Sequence, residues 1–266
     1  MASATYDFSG RTALITGGGG DIGLATAQRL ARDGASLALL DMDESKLEHA
    51  RSALAPFDGR LLTLGCDVTD RASVSAALSR VEQELGRVHF VFNNAGYQGA
   101  FAPTQDYPED DFRKVLEVNV LGAYNVLAAA AAHMKEAGGG AMVNTASHAG
   151  VDGPPNMLAY GASKAAVIAM TQTAAKDLAP HGIRVNAVSP ALIGPGFMWT
   201  RQCQLQAATG TPYFSADPAE VEQQMLSKVP LRRLGSLAEV SNAVAYLLSD
   251  EASYVTGFNL EVTGGI

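Results

Sequence analysis

Cysteine is scarce in this sequence, and no cluster of metal-binding residue types stands out. The 266 residues include two cysteines, Cys66 and Cys203, which lie far apart and show no metal-ligand spacing. A framework of disulfides is therefore excluded, and two isolated thiols suit a reducing cytoplasm. The five histidines form no ligand cluster either, so we expect a cytoplasmic protein without a metal site.

Clusters of basic residues and long apolar runs are also missing. Lys and Arg number 19 against 27 Asp and Glu, and they are scattered singly along a chain with a formal net charge of -8. Nucleic acids and membrane surfaces are therefore not expected as partners. The longest nearly unbroken apolar run, Val126 to Met134, is far shorter than the roughly 20 residues of a bilayer-spanning helix. Residues 1 to 10 lack the basic start and apolar stretch of a secretory signal, so none is predicted.

Hydrophobic residues, in contrast, make up 47% of the chain and follow two alternating patterns. Short apolar runs typical of strands buried on both faces lie at Thr12–Thr16, Ser36–Leu40, Arg60–Gly65, His89–Phe92, Ala141–Ala146, Ile183–Ser189 and Phe258–Val262. Apolar residues recur every three or four positions, as in helices, over Ile22–Asp33, Asp43–Leu54, Arg71–Leu85, Asp110–Lys135, Met157–Leu178 and Leu237–Leu248.

This alternation of strands and crossover helices predicts an α/β fold. We expect a single domain over residues 1–266, built on a doubly wound, Rossmann-type parallel sheet with helices on both faces. Ligands of such sheets bind beyond the carboxyl ends of the strands. Residues that directly follow a strand are therefore the candidates for chemistry.

The alternation stops between residues 190 and 234. This segment is punctuated by Gly and Pro and contains Phe197, Met198, Trp199, Tyr213 and Phe214. A long irregular segment in a compact domain is usually functional or disordered, and the aromatic surface is too large for a solvated tail. We therefore expect a substrate lid at about residues 190–234, with an incidental insertion as the alternative.

A glycine cluster follows the first predicted strand and opens the first helix, in the stretch ITGGGGDIG from Ile15 to Gly23. Glycines let backbone N–H groups approach a pyrophosphate, and the helix N-terminus adds a partial positive charge. The position between strand and helix predicts a dinucleotide site, with a merely flexible turn as the alternative. The residues expected to contact the cofactor there are Gly17, Gly20, Asp21, Ile22 and Gly23.

An acidic residue, Asp41, ends the second predicted strand. An acidic side chain at that place hydrogen-bonds the adenosine ribose hydroxyls and repels a 2′-phosphate. No Arg or Lys lies between Gly17 and Gly23 or directly after Asp41. The sequence therefore predicts NAD(H) rather than NADP(H); the alternative is that Asp41 only caps the helix that follows.

Tyr160 and Lys164 lie four residues apart in a predicted helix, so they share one face about a turn from each other. A free tyrosine titrates near pH 10, and a base that works near neutrality needs a pKa lower by about three units. An ammonium group about 5 Å away supplies most of that shift at an effective dielectric constant of about 20. Tyr160 is thus the predicted general base.

Ser147 follows the fifth predicted strand. Its hydroxyl can donate a hydrogen bond to a developing alkoxide or to a carbonyl oxygen at the mouth of the sheet. Taken singly, each of these three residues has an ordinary structural explanation as well. Their combination with the glycine loop favours the catalytic interpretation.

These motifs and several others together resemble the short-chain dehydrogenase/reductase superfamily over nearly the whole chain. They are TGGGGDIG, Asp67-Val68, NNAG at Asn93–Gly96, Asn119 in VNVLG, Ser147, YGASK at Tyr160–Lys164 and RVNAVSP at Arg184–Pro190. The resemblance implies a seven-stranded sheet, commonly a homotetramer, and hydride transfer between a nicotinamide cofactor and a small alcohol or ketone. Within the superfamily, NNAGYQGAF, GPPNMLAYG, GPGFMW and YFSADP look like segments of the NAD-dependent xylitol dehydrogenases.

The resemblance also implies roles that spacing alone does not assign. Lys164 holds the nicotinamide ribose, and Asn119 binds a water that relays protons from Lys164. The other implied cofactor contacts are Asp67, Val68, Asn93, Ala95, Gly96, Pro190 and Ile193. Helix capping is the alternative for Asp67, and an ordinary tight turn is the alternative for NNAG. The chain departs from the family pattern at Asp21, where the family usually has glycine, and at Ala191 and Pro195.

Polar residues expected at the mouth of the sheet suit a substrate with several hydroxyl groups, because each buried hydroxyl left unpaired costs about 1 to 3 kcal/mol. The residues predicted to contact substrate are Gln98, His148, Asn156, Met198 and Trp199, whereas Asp152 is expected to be a solvated loop residue. We thus expect an NAD-dependent oxidoreductase of a secondary alcohol, with a polyol such as xylitol as the leading substrate. The alternatives are an enzyme acting on another diol, a steroid or a 3-oxoacyl substrate, and a non-catalytic dinucleotide sensor.

Overall fold

Seven parallel strands form one sheet in the computed structural model, which describes residues 4–266. The strands are β1 (Thr12–Thr16), β2 (Ser36–Asp41), β3 (Leu61–Gly65), β4 (Phe90–Asn93), β5 (Gly140–Thr145), β6 (Ile183–Pro190) and β7 (Asn259–Val262). Their order across the sheet is β3-β2-β1-β4-β5-β6-β7. The predicted doubly wound, seven-stranded sheet is confirmed. Residues 1–3 lie outside the described residues. They belong to the segment, residues 1–10, in which no secretory signal is predicted.

Nine α-helices occur in the described part of the chain. They are α1 (Asp21–Arg32), α2 (Glu44–Leu54), α3 (Arg71–Leu85), α4 (Glu109–Leu116), α5 (Ala123–Glu136), α6 (Leu158–Leu178), α7 (Phe197–Ala208), α8 (Pro218–Ser227) and α9 (Leu237–Leu248). Each helix predicted from periodicity begins and ends within one residue of an observed boundary, except that the predicted Asp110–Lys135 helix contains a π-helical segment at Glu117–Gly122 between α4 and α5.

Successive strand residues point to opposite faces of the sheet. Because these residues are apolar on both faces, helices cover both. In β1, Ile15 belongs to one apolar core, together with Leu30 of α1 and Val244 of α9. The adjacent Leu14 belongs to the other core, which α3, α5 and α6 cover with residues such as Val126. The strands are therefore buried on both faces, as continuous apolar runs predict.

The point where the chain reverses its winding lies between β1 and β4. β1 pairs with β2 on one side and with β4 on the other. Beyond the carboxyl ends of β1 and β4, the Asn94 side chain donates hydrogen bonds to the carbonyl oxygens of Thr16 (3.1 Å) and Gly17 (3.3 Å). This is the crevice in which open α/β sheets bind their ligands.

The continuous helical stretch Glu109–Glu136 passes a length and composition test for a membrane span. It is the one such helix among residues 4–266. Within it, however, Val126 and Met134 pack in the core beside the sheet, and the Asn125 amide makes a buried hydrogen bond to the Val68 carbonyl oxygen (3.0 Å). A core helix of a folded domain has the same apolar composition, so this stretch does not support a membrane partner.

Residues 190–234 are not the irregular loop that Gly and Pro suggested, because they contain α7 and α8. Trp199, Cys203, Val221 and Met225 form a small apolar core of their own. Leu192, Phe214 and Leu234 pack against it at its edge. The two helices therefore obtain their stability from packing on each other, a contact that local propensity does not report.

Candidate active site

The glycine loop after β1 folds so tightly that side chains do not fit at its turns. Gly17 has a φ of +61°, a conformation that favours glycine. A Cβ on Gly23 would lie 2.2 Å from the Gly17 carbonyl oxygen, so the first turn of α1 is pressed onto the loop. The N-cap of α1, Gly20, provides no side chain to satisfy the first N–H groups. This cradle fits the diphosphate of a dinucleotide.

Asp21 and Ile22 begin α1 beside this loop. Asp21 is exposed, and its carboxylate lies 3.5 Å from where a Cβ on Gly196 would be. It does not cap α1, since the cap is Gly20, but a negative charge in the first turn suits the helix dipole. Ile22 lies on the wall of a cavity that Ser147 and Tyr160 also line.

Asp41 reaches from the end of β2 to the glycine loop. One carboxylate oxygen accepts a hydrogen bond from the Gly19 N–H and the other from the Asp43 N–H, both at 3.1 Å. Helix α2 is capped by Asp43, so the alternative that Asp41 only caps this helix is wrong. The stem of Lys46 also approaches the loop, because a Cβ on Gly19 would lie 2.5 Å from the Lys46 Cβ. Sequence spacing did not indicate that proximity.

Asp67 and Val68 follow β3 on the same edge of the sheet. The Asp67 carboxylate accepts hydrogen bonds from the N–H and the hydroxyl of Thr69 (2.9 and 2.8 Å). Helix α3 is capped by Asp70 instead, so capping does not explain Asp67. Val68 is buried, and its methyl group lies where a Cβ on Gly122 would come within 2.7 Å.

Asn93 is engaged inside the fold. Its amide nitrogen donates to the carbonyl oxygen of Ala123 (2.9 Å) and to the Asn144 side chain (3.0 Å). The side chain therefore ties β4 to β5 and α5, so the cofactor contact predicted at Asn93 is one for its backbone. Two residues further on, Ala95 donates its N–H to the Thr16 hydroxyl at 3.0 Å.

A cavity of about 550 Å³ opens beyond the carboxyl ends of β5 and β6. Its wall joins predicted catalytic residues to residues of the 190–234 segment. The predicted site residues on this wall are Ile22, Gln98, Ser147, His148, Tyr160, Pro190, Ile193, Met198 and Trp199. Asp152 also lies on the wall and is exposed, as expected for a solvated residue.

Ser147 and Tyr160 lie together in this cavity. The Ser147 hydroxyl accepts a hydrogen bond from the Ala149 N–H (3.2 Å) and lies 3.4 Å from the Pro190 carbonyl oxygen. Burial raises the pKa of the Tyr160 phenol, and a smaller effect of its hydrogen bond with Ser147 lowers it. Burial therefore outweighs the effect of Ser147, and the phenol in the protein alone does not have the lowered pKa expected for a base.

Lys164 is buried below the tyrosine. Its Nζ lies 5.6 Å from the centre of the Tyr160 ring, close to the expected separation, and donates to the Thr145 carbonyl oxygen at 2.7 Å. A Cβ on Gly96 would lie 3.6 Å from this Nζ, so glycine leaves room beside the ammonium. Burial lowers the pKa of Lys164 to about 8. An ammonium has three N–H donors, which leaves two for the hydroxyls of a ribose.

Asn119 lies in the π-helical segment and braces the residues beside the cavity. Its Oδ1 accepts from the Tyr97 N–H (2.7 Å), and its Nδ2 donates to the Tyr97 carbonyl oxygen (2.8 Å) and the Ser163 hydroxyl (3.0 Å). Ser163 directly precedes Lys164. The Asn119 side chain thus connects the residues after β4 to the catalytic helix α6.

The five residues predicted to contact substrate do not all reach the cavity. Gln98, His148, Met198 and Trp199 do. The His148 Nδ1 lies 3.0 Å from a Glu261 carboxylate oxygen, which fixes the ring. Asn156 is absent from the wall, because its amide donates to Gln206 of α7 at 2.8 Å. It anchors α7, and the prediction of a substrate contact for Asn156 is not supported.

Sequence reasoning missed several cavity residues because it treated residues 190–234 as irregular. Those on the wall are Gln202, Gln206, Phe214, Met225 and Lys228. A signal for α7 was present, since Trp199, Cys203 and Gln206 recur at helical spacing and are buried. Gly and Pro on both sides of the helix obscured it.

Comparisons with known proteins agree with this geometry. The family model described as enoyl-(acyl carrier protein) reductase matches residues 19–266. The chain is similar to the crystal structure of an NAD⁺-bound xylitol dehydrogenase, with 53% identity and a TM-score of 0.96 over 97% of this chain and 99% of that one. Levodione reductase from Leifsonia aquatica is 36% identical over 99% of this chain and 97% of its own length. 2-(S)-hydroxypropyl-CoM dehydrogenase 3 from Xanthobacter autotrophicus is 37% identical over 95% and 94%.

Proposed function

The chain belongs to the short-chain dehydrogenase/reductase family, and from that premise we propose that it is an NAD-dependent polyol dehydrogenase. The family acts on secondary alcohols and ketones. The observation that carries the proposal is the cavity that holds Ser147 and Tyr160 and is extended by the amide side chains of Gln98 and Gln202. Amides suit hydroxyl groups because they both donate and accept hydrogen bonds.

In this proposal the protein's groups handle the oxygen and proton of the substrate. Tyr160 takes the proton of the alcohol during oxidation and returns it during ketone reduction. Ser147 donates to the same oxygen as its charge develops. When bound, NAD⁺ accepts the hydride, and its positively charged ring favours the phenolate of Tyr160. The ammonium of Lys164 adds to that potential from below and holds the ribose hydroxyls.

The glycine loop, Asp41 and the residues after β3 and β4 are the proposed cofactor site. Asp41 supports NAD(H), because its fixed carboxylate at the loop repels a 2′-phosphate. We expect Asp41→Ser to reduce the ratio of NAD⁺ to NADP⁺ turnover at least tenfold, since removing the repulsion between the half-buried carboxylate and a 2′-phosphate is worth more than about 1.4 kcal/mol. Steady-state kinetics with both cofactors measures this ratio. A ratio equal to that of the wild type would show that Asp41 does not select the cofactor.

The substrate proposal rests on the polar cavity and on the similarity to a xylitol dehydrogenase. The test is NADH absorbance while the purified protein meets a panel of polyols, diols, steroid alcohols and 3-oxoacyl thioesters. We expect the highest kcat/KM with a polyol such as xylitol. Higher activity on a steroid or thioester would overturn the polyol assignment and leave the oxidoreductase class intact.

Tyr160→Phe serves as the control for chemistry. It removes the phenolic oxygen and keeps the ring that packs in the cavity, so NAD⁺ binding should remain while turnover falls by at least about a hundredfold. Binding of NAD⁺ without turnover of any substrate by the wild type would favour a dinucleotide sensor instead. We further propose that the protein is a cytoplasmic homotetramer and that residues 190–234 act as a lid over the substrate.

A further inference from the structure

Arg201 of α7 binds the residues after β4 without contacting any carboxylate among residues 4–266. Its guanidinium donates to the Gln98 Oε1 at 2.7 Å and to the Gly99 carbonyl oxygen at 3.4 Å. Arg201 itself is absent from the wall of the cavity, whereas its partner Gln98 lies on it. The charged guanidinium of Arg201 therefore lies behind Gln98, which lines the cavity.

The platform that Arg201 binds is rigid. The Tyr97 backbone is fixed on both sides by the Asn119 amide. The Asp111 carboxylate accepts hydrogen bonds from the Tyr97 hydroxyl (2.8 Å) and from the Ala100 N–H (2.6 Å). Gly99 has a φ of +76°, and a Cβ there would lie 2.5 Å from a Val115 methyl group. Gln98 thus projects from a segment that cannot readily shift.

Arg201 determines which way the Gln98 amide points. A guanidinium has only donors, so the amide oxygen of Gln98 must face it. The Gln98 nitrogen then donates to the Gln202 Oε1 at 3.2 Å. Because the Gln202 oxygen is in turn engaged as an acceptor, its Nε2 is the end left available. Arg201 thus fixes the orientation of the Gln98 amide, and Gln98 fixes that of the Gln202 amide.

The result is a donor surface on one wall of the cavity. Each amide nitrogen carries two N–H groups, and in the described chain one of the Gln98 pair and both of the Gln202 pair have no protein acceptor. The Gln202 nitrogen is not sealed from solvent, since the Trp199 Nε1 is the one buried, unpartnered side-chain nitrogen or oxygen in the described residues. These N–H groups can donate to an oxygen of the substrate that lies away from the reacting carbon.

We infer that Arg201 is a specificity-determining positioning residue, which selects secondary alcohols that carry a further oxygen by holding Gln98 and Gln202 as hydrogen-bond donors. The inference rests on the proposed function, because it concerns the same substrate cavity. Arg201 touches neither the reacting oxygen nor the predicted cofactor site. Its loss should therefore alter substrate selection and spare the chemical step.

The experiment compares matched alcohols in wild type, Arg201→Met and Arg201→Lys. The pairs are xylitol with 3-pentanol and 1,4-cyclohexanediol with cyclohexanol, in which the second member lacks the further oxygen. We expect Arg201→Met to lower the kcat/KM ratio within each pair about tenfold, the effect of losing an oriented hydrogen bond. The change should appear in KM of the oxygen-rich member, with its kcat retained. Arg201→Lys keeps a cationic donor and should retain most of the ratio.

The control is Arg80→Met, which removes an exposed arginine of α3 that pairs with Glu84. It should leave the ratios unchanged. Equal losses for both members of each pair in Arg201→Met would overturn the inference, since they would mean that Arg201 only stabilises α7. Unchanged ratios would overturn it as well.

A second readout separates this inference from the proposed function. Trp199 is the one tryptophan of the chain and lies on the cavity wall, two residues before Arg201. In a Tyr160→Phe background, in which turnover is blocked, its fluorescence in the presence of NAD⁺ reports the dissociation constants of xylitol and 3-pentanol. If the wild type turns over no polyol, the proposed function fails. Stronger binding of xylitol than of 3-pentanol, lost in Arg201→Met, would still support the inference, and equal binding of the two would refute it.

Discussion

Lys164 carries its charge at a place where burial opposes it. Its side chain is almost fully enclosed, and burial lowers the pKa to about 8 from an ordinary value of 10.5. Because the pKa is lower in the folded state, the unfolded chain binds more protons between these two values. Burying the charged form of Lys164 therefore costs no stability above about pH 10.5, where the amine is neutral in both states. The cost grows as the pH falls and is complete below about pH 8.

We expect Lys164→Met to be more stable than the wild type at pH 7 and inactive. The gain should be at most about 3 kcal/mol, the free energy of the pKa shift, reduced by the lost hydrogen bond to Thr145. The gain should shrink as the pH approaches 10, where the Lys164 side chain of the folded wild type is a neutral amine. Urea unfolding of both proteins at pH 7 and pH 9.5 measures it. Parallel pH profiles for the two proteins would contradict this origin of the effect.

Tyr160 shows the same tension between burial and charge. Burial raises the pKa of its phenol, although the proposed role as a base needs a lower pKa. The compensating positive charge must come from the Lys164 ammonium and the ring of a bound NAD⁺. In this proposal the tyrosine becomes an effective base only in the loaded site.

At the scale of single elements, the glycine loop and α1 work as one unit. The contact between Gly23 and the Gly17 carbonyl oxygen brings the helix N-terminus against the loop. Any side chain at residue 23 would collide with the Gly17 carbonyl oxygen and push the backbone of α1 away from the loop. This contact explains the requirement for glycine better than flexibility does.

We expect Gly23→Ala to lower the free energy of unfolding by roughly 1 to 3 kcal/mol through overpacking. NAD⁺ affinity should also fall at least tenfold, because the N–H groups of the cradle move apart. Gly20→Ala is the matched control for stability, since a Cβ there would lie 3.4 Å from the Gly17 carbonyl oxygen, an ordinary contact. Denaturant unfolding and isothermal titration with NAD⁺ measure the two effects. Equal stability of the two variants would contradict the packing argument.

At the scale of the whole molecule, the helical stretch Glu109–Glu136 has two faces. One is buried in the core, and the other exposes Leu121 and Tyr124 to 47% and 43%. Large apolar side chains exposed close together are typical of a protein interface. They support the proposed homotetramer.

Leu121→Glu should therefore reduce the oligomer to smaller species, because a charge buried in an interface without a partner costs several kcal/mol. Size-exclusion chromatography with light scattering measures the mass. Leu231→Glu is the control, since Leu231 is also exposed and lies outside this helix. A wild-type monomer, or an unchanged mass for Leu121→Glu, would refute this interface.

The sequence by itself determined the sheet, the crossover helices, the glycine loop and the Tyr160–Lys164 pair. Each of these depends on short-range regularity: apolar periods of two kinds, glycine between strand and helix, or a spacing of four residues along one helix face. The carboxyl ends of parallel strands then meet at one edge. That geometry explains why Ser147, Tyr160 and Ile22 come together as expected.

Only the tertiary structure decided the rest. Asn93 and Asn94 are adjacent and chemically identical, yet one ties strands together inside the fold and the other braces the glycine loop. Arg201 and Gln98 are 103 residues apart in the chain, and α7 and α8 are stabilised by packing on each other. The pKa values of Tyr160 and Lys164 are set by burial. Burial and long-range hydrogen bonds depend on which surfaces meet in space, and local residue spacing does not contain that information.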